Sequence, residues 1–236
     1  MDGDETMTIK YNDGNYELNE AYRSIRTFIS VDERLKTILI TSTEMDEGKS
    51  TSAANIARCF SELEDKKTIV IDCDFRTKSL NDQFDINRGS AGISNIVYNE
   101  KTLDECIKTE GKLDILTCGT VNCNPSVLLE MSRTKDLINS LRDKYDYIFI
   151  DSPPILRVND ACIIAQYTDG TLIVSASKEV DKNQVKIVKD RLEKVNANLV
   201  GVVLNKFQFE GNKTYSYYGY GEEENKKKRI FRRKKR

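Results

Sequence analysis

The 236-residue chain has no histidine and no tryptophan. Without histidine there is no imidazole general base, no Ser-His-Asp or Cys-His relay and no histidine-ligated zinc. Proton chemistry therefore falls to Asp, Glu, Lys, Tyr or Cys. The six cysteines, at 59, 73, 106, 118, 123 and 162, include no C-x-x-C pair, so a zinc ribbon or thioredoxin-like dithiol has no support. They are expected as reduced, mostly buried small residues. No apolar run approaches the ~20 residues needed to cross a bilayer. The start MDGDETMTIK also lacks the charged-then-apolar layout of a signal peptide, and a cytoplasmic protein is expected.

Charge is balanced overall, 37 basic against 38 acidic residues, yet nine of the basic ones crowd into KKKRIFRRKKR at 226–236 and leave a net −10 on the remainder. An acidic body with a basic arm fits a solvated or surface-binding tail and argues against nucleic acid as the partner.

Apolar residues Leu18, Tyr22, Ile25 and Phe28 or Ile29 recur at a helical period within Tyr16–Ser30. Six short apolar runs follow, at 37–42, 68–72, 113–117, 147–151, 170–175 and 199–205, and helical stretches separate most of them. Buried parallel strands read this way because each needs a crossover helix. The expected fold is a P-loop NTPase-like, doubly wound α/β domain with a mainly parallel sheet and flanking helices. From Phe207 the composition turns to Gly, Tyr, Glu, Lys and Arg, too little apolar area to offset ordering. This suggests three parts: an N-terminal segment 1–35 with a helix, a core domain 36–206 and a flexible tail 207–236.

After the first strand, Thr43-Glu44-Met45-Asp46-Glu47-Gly48-Lys49-Ser50-Thr51 matches G-x-x-x-x-G-K-[ST] except for threonine at the first glycine. Strand, loop, helix is the order that aims backbone N–H groups and a helix dipole at an anion. Lys49 is then expected on the β- and γ-phosphates of ATP, with the Ser50 hydroxyl on Mg²⁺. The next strand ends in Asp72-x-Asp74-x-Arg76 and another in Asp151-Ser-Pro-Pro. In a parallel sheet these strand ends face the same crevice. Catalytic roles are expected for Lys49, Asp72, Asp74, Arg76 and Asp151, and metal ligation for Ser50, Asp72, Asp74 and Asp151. Taken alone, Asp72 and Asp74 also suit side-chain turns that cap the following loop. Asn205, at the last strand's end, is either a reader of the base edge or a strand-terminating residue.

With the P-loop at 43–51, Asp72-x-Asp74-x-Arg76 and Asp151-Ser-Pro-Pro, the sequence resembles the bacterial tyrosine kinases of the cytosolic capsule or exopolysaccharide type, the CpsD/CapB group. Two further stretches carry the likeness: Glu20-Ala-Tyr-Arg23-Ser-Ile-Arg26 and Tyr215-Ser-Tyr217-Tyr218-Gly-Tyr220. The resemblance implies a protein-tyrosine kinase using ATP and Mg²⁺, with Glu20, Arg23 and Arg26 packing subunits into a ring. The tyrosines at 215, 217, 218 and 220 would be phosphorylated between subunits, with Asp72 as base. It also implies a membrane-embedded adaptor of the polysaccharide co-polymerase type, a cognate tyrosine phosphatase, recruitment to the inner membrane face and control of polymerisation and export. Glu20, Arg23 and Arg26 equally suit a solvated salt-bridge stripe. The basic end suits an anionic membrane surface or a solubilising tail. The chain departs from the family at Asp46, where glycine or asparagine is usual, and at Thr77-Lys78-Ser79, where a proline is usual. The competing expectation is a non-kinase P-loop ATPase of the partitioning or division-site type. Those proteins carry an extra lysine where this chain has Glu44.

Overall fold

A computed structural model describes residue 11 and residues 15–120, 122–177 and 182–207. Helix α1 (Tyr16–Ser30) is followed by strand β1 (Thr37–Ser42), helix α2 (Lys49–Ser61) and strand β2 (Thr68–Asp72). Short helices α3 (Ser79–Gln83), α4 (Ile93–Val97) and α5 (Leu103–Cys106) lead into β3 (Lys108–Glu110) and β4 (Leu113–Leu116). Then come α6 (Pro125–Glu130), α7 (Ser132–Leu141), β5 (Tyr147–Asp151), α8 (Asp160–Ala165), β6 (Gly170–Ala176), α9 (Lys182–Lys194) and β7 (Leu199–Asn205).

The strands form one seven-stranded sheet in the order β3-β4-β2-β5-β1-β6-β7. All six expected strands are present and run parallel. The addition is β3, which pairs antiparallel with β4 at the sheet edge. Its sequence, KTE, lies at the surface and is polar throughout, so no apolar run announces it. Gly111, at a left-handed φ of 60°, makes the tight reversal that links the two strands.

Side chains alternate between the two faces of the sheet. Leu39, Ile69, Ile71, Ile148 and Ile150 join one core with α6, α7, α8 and α9. Ile38, Ile40, Val70 and Phe149 join the other, against α1 and α2. There Phe60 of α2 meets Phe149 and Tyr147 at ring-centroid distances of 4.9 and 4.4 Å.

Helix α1 begins at Asn15, whose side chain accepts the Leu18 N–H at 3.1 Å. It buries Tyr22 and Ile29. Arg26 Nη1 donates to the Cys59 carbonyl at 2.6 Å, so within the chain this arginine fastens α1 to the end of α2. Tyr11, in a stretch that reads as merely polar, is also anchored there. Its N–H donates to Asn55 Oδ1 at 2.9 Å and its hydroxyl to the Glu62 carboxylate at 2.8 Å.

Residues 1–206 form one unit and 207–236 another. Tyr215, Tyr217, Tyr218, Tyr220 and the basic run lie outside the described residues. No helix among the described residues is long and apolar enough to cross a membrane.

Candidate active site

The sheet register sets up the site. Asp72 and Asp151 are direct neighbours on adjacent parallel strands. Each lies two residues beyond a side chain on the α2 face, Val70 and Phe149, so the period-two alternation turns both carboxylates towards α2. Lys49 is the first residue of that helix. Asp72 and Asp151 are 0% exposed and Asp74 is 1%. Lys49 Nζ pairs with Asp74 Oδ2 at 2.8 Å and donates to Ser50 Oγ at 3.1 Å.

This is one electrostatic unit. Burial opposes the Lys49 charge, yet Asp151, Asp74 and Asp72 outweigh it and raise the lysine pKa. Burial likewise works against the Asp74 charge, but the adjoining Lys49 ammonium prevails and lowers this carboxyl. Asp72 goes the other way, because burial and the facing Asp151 charge push it up to about 8. Burial also raises Asp151, although Lys49 opposes the shift.

The loop around Lys49 is strongly curled. Asp46 and Gly48 have left-handed φ values of 59° and 84°. The left-handed φ of Gly48 favours glycine, and a Cβ there would come 2.1 Å from Asn205 Nδ2 and push that side chain off the loop. Glu44 pairs with Arg157 at 2.5 Å, tying the loop to the chain that follows β5. Met45 and Asp46 are exposed, whereas Thr43 and Glu47 are buried.

Two expected residues sit differently. Arg76 does not join the Lys49 cluster; Nη1 pairs with the buried Asp160 carboxylate, whose other oxygen accepts from Ser126 Oγ at 2.6 Å. This contact ties the loop after β2 to the start of α8, and Asp74 Oδ1 caps the same loop through the Arg76 and Thr77 N–H groups, each at 3.3 Å. Asn205 Nδ2 donates to the Glu47 carbonyl at 2.9 Å, a strut between the end of the last strand and the loop. Sequence reading missed Asp160 and Ser126, since neither belongs to a motif and their partner lies far along the chain. Of the α1 residues, Glu20 and Arg23 pair at 2.6 Å while each is about half exposed.

Several buried acceptors have no hydrogen-bond donor among the described residues: Asp72 Oδ2, both Asp151 oxygens and Thr43 Oγ1. Unmatched buried carboxylate oxygens are costly unless a cation or ordered water meets them. Among the described residues no three acidic or thiol side chains form a closed metal cage. Mg²⁺ needs none, because it keeps several waters and uses one or two carboxylates. The donor set therefore fits a hydrated Mg²⁺ beside a phosphate-bearing ligand.

The raised Asp72 carboxyl has a stability consequence. A carboxyl whose folded pKa lies above its unfolded value binds its proton more tightly in the folded chain. Stability is therefore unaffected below about pH 4 and falls as pH rises towards about 8. Asp72→Asn is expected to resist urea better than wild type at about pH 8 and to lose that advantage near pH 4, as followed by circular dichroism. An equal difference at both pH values would show that Asp72 is not held in this way.

Comparison with known proteins agrees with this arrangement. Residues 35–200 match the family model described as an AAA domain. Putative tyrosine-protein kinase CapB of Staphylococcus aureus is 36% identical over 211 residues, covering 87% of this chain and 91% of that protein. Tyrosine-protein kinase YwqD of Bacillus subtilis (strain 168) is 34% identical over 206 residues, covering 85% and 86%. The crystal structure of the chimerical protein CapA2B2 is similar at a TM-score of 0.79 and 31% identity, covering 84% of this chain and 88% of that one. The partitioning-ATPase alternative has less support than the kinase reading. With a lysine and three carboxylates gathered at parallel strand ends behind a P-loop, and with these relatives, the chain belongs to the bacterial tyrosine-protein kinases of the capsule and exopolysaccharide type.

Proposed function

We propose that the chain transfers the γ-phosphoryl group of ATP to Tyr215, Tyr217, Tyr218 and Tyr220 of a neighbouring copy, and so regulates capsular or exopolysaccharide polymerisation and export. The observation that carries this reading is the burial of Lys49 against Asp74, with Asp72 and Asp151 beside it. On this view residues 36–206 are the kinase domain, 1–35 carry the oligomerisation helix and 207–236 carry the acceptor tyrosines and the basic end.

Phosphoryl transfer has a loose transition state, so positioning and charge neutralisation dominate. The loop 43–51 would cradle the phosphates through its N–H groups, and Lys49 would exchange Asp74 for the β- and γ-phosphate oxygens. Ser50, Asp151 and the Asp72–Asp74 pair would hold Mg²⁺ with its waters, and the ion would supply further neutralisation of phosphate charge. Asp72 would orient the tyrosine hydroxyl and take its proton as the phenolic oxygen bonds to phosphorus and ADP departs. Arg76 would act through Asp160, keeping the two carboxylate-bearing loops together.

Lys49→Met is expected to abolish phosphotyrosine on the purified kinase mixed with its adaptor fragment and Mg-ATP, while the circular dichroism spectrum stays that of wild type. Mass mapping should place the wild-type label within 215–220. A Lys49→Met chain that still labels those tyrosines sinks the assignment.

From Lys206 to Tyr215 the chain reaches at most roughly 30 Å, so reach alone does not choose between a copy's own site and its neighbour's. Glu20 and Arg23, half exposed on α1, support a subunit contact and transfer within a ring. Each phosphotyrosine adds about −1.5 to −2 charge, and several at one boundary would drive the ring apart, with a cognate tyrosine phosphatase resetting it. Light scattering should show the assembly shrinking on ATP addition; an unchanged mass after full phosphorylation excludes this cycle.

The basic end would hold the kinase at the inner membrane face beside its adaptor, each Lys or Arg near an anionic surface contributing ~1 kcal/mol. Deleting 226–236 is expected to weaken sedimentation with anionic vesicles, and equal sedimentation removes the membrane role.

A further inference from the structure

The phosphate-binding loop contains a glutamate, Glu47, directly before Gly48-Lys49. A carboxylate beside a polyphosphate is electrostatically unfavourable unless it is turned away and occupied. The structure shows both. Glu47 is only 2% exposed; Oε2 accepts the Glu44 N–H at 2.8 Å and Oε1 accepts the Ala176 N–H at 3.3 Å. Its carbonyl accepts from Asn205 Nδ2 at 2.9 Å, and the Asn205 carbonyl accepts the Ser177 N–H at 2.8 Å. These bonds close a circuit from the loop apex to the ends of β6 and β7. Glu47 also sits between the two left-handed residues of the loop, Asp46 and Gly48, at the point where the chain reverses most sharply.

We infer that Glu47 is a positioning residue for the nucleotide: braced on Ala176 and Asn205, it holds the loop curled so that backbone N–H groups converge on the phosphates, while its carboxylate is turned away from them. This rests on the nucleotide reading of the loop and assigns Glu47 and Asn205 a role in shaping the site in place of contacting the ligand. A preformed cradle of N–H groups binds anions because the loop's curl is set in advance. Loss of the brace therefore costs nucleotide affinity more than it costs the global fold, whose cores lie elsewhere.

The test is a titration of the intact protein with a fluorescent ATP analogue and Mg²⁺, alongside thermal melts, for wild type, Glu47→Ala, Glu47→Gln, Asn205→Ala and the double alanine variant. Hydrogen bonds to a charged acceptor are worth enough that Glu47→Ala should weaken binding roughly tenfold or more. Glu47→Gln, which keeps an oxygen acceptor, should recover part of it, and the melting temperatures should stay close to wild type. The double variant should bind about as weakly as the weaker single one, because both release the same loop. KM for ATP should rise with kcat largely retained at saturation. Unchanged affinity in Glu47→Ala overturns the brace alone. Affinity losses that follow the melting temperature, or that simply add in the double variant, overturn it too. Wild type that fails to bind the analogue overturns the nucleotide reading itself.

Discussion

The active site depends most on the enclosure of one ammonium group, Lys49, among three buried carboxylates at the carboxyl ends of β2 and β5. Burial penalises every one of these charges, and only the mixture of signs makes the cluster tolerable. The lysine is driven further towards its charged form, Asp74 is held ionised beside it, and Asp72 and Asp151 are left proton-retentive. With one positive and three potentially negative groups, the pocket has unmatched acceptors. Stability is lost there in exchange for a place where a cation and a polyphosphate complete the charge pattern.

The fold exists to present that cluster. Two-sided burial of the central strands forces near-continuous apolar runs, and the parallel order sends their carboxyl ends to one side. Because Asp72 and Asp151 fall in register, strand periodicity alone turns them to the helix that starts with Lys49. Supports then reach inward from the periphery. Arg76 on Asp160 joins the loops after β2 and β5, Glu44 on Arg157 joins the P-loop to the second of these, and Asn205 props the loop from the far strand.

What could be read in the sequence follows from this physics. Six strands were legible because burial on both faces leaves long apolar runs, and the convergence of Lys49, Ser50, Asp72, Asp74 and Asp151 was legible because motifs ending such strands have only one crevice to enter. β3 was not, since a KTE edge strand has no apolar run and is fixed by its turn, its partner strand and the distant pairing of Glu110 with Arg58. Arg76 and Asn205 lie where the sequence puts them, yet their contacts are with Asp160 and Glu47, distant residues that local pattern does not flag. Arg26 is similar: its spacing from Glu20 and Arg23 suggests one shared face, whereas it is turned onto Cys59.

Charge coupling between Lys49 and the carboxylates across the strand ends holds the site together. Carboxyl-carbon NMR titration of Asp151 in the ligand-free protein, in wild type and in Lys49→Met, measures that coupling directly. Because the ammonium lowers the Asp151 pKa, its removal should move the Asp151 titration to higher pH. A titration that stays in place would mean that lysine and carboxylate do not share one site.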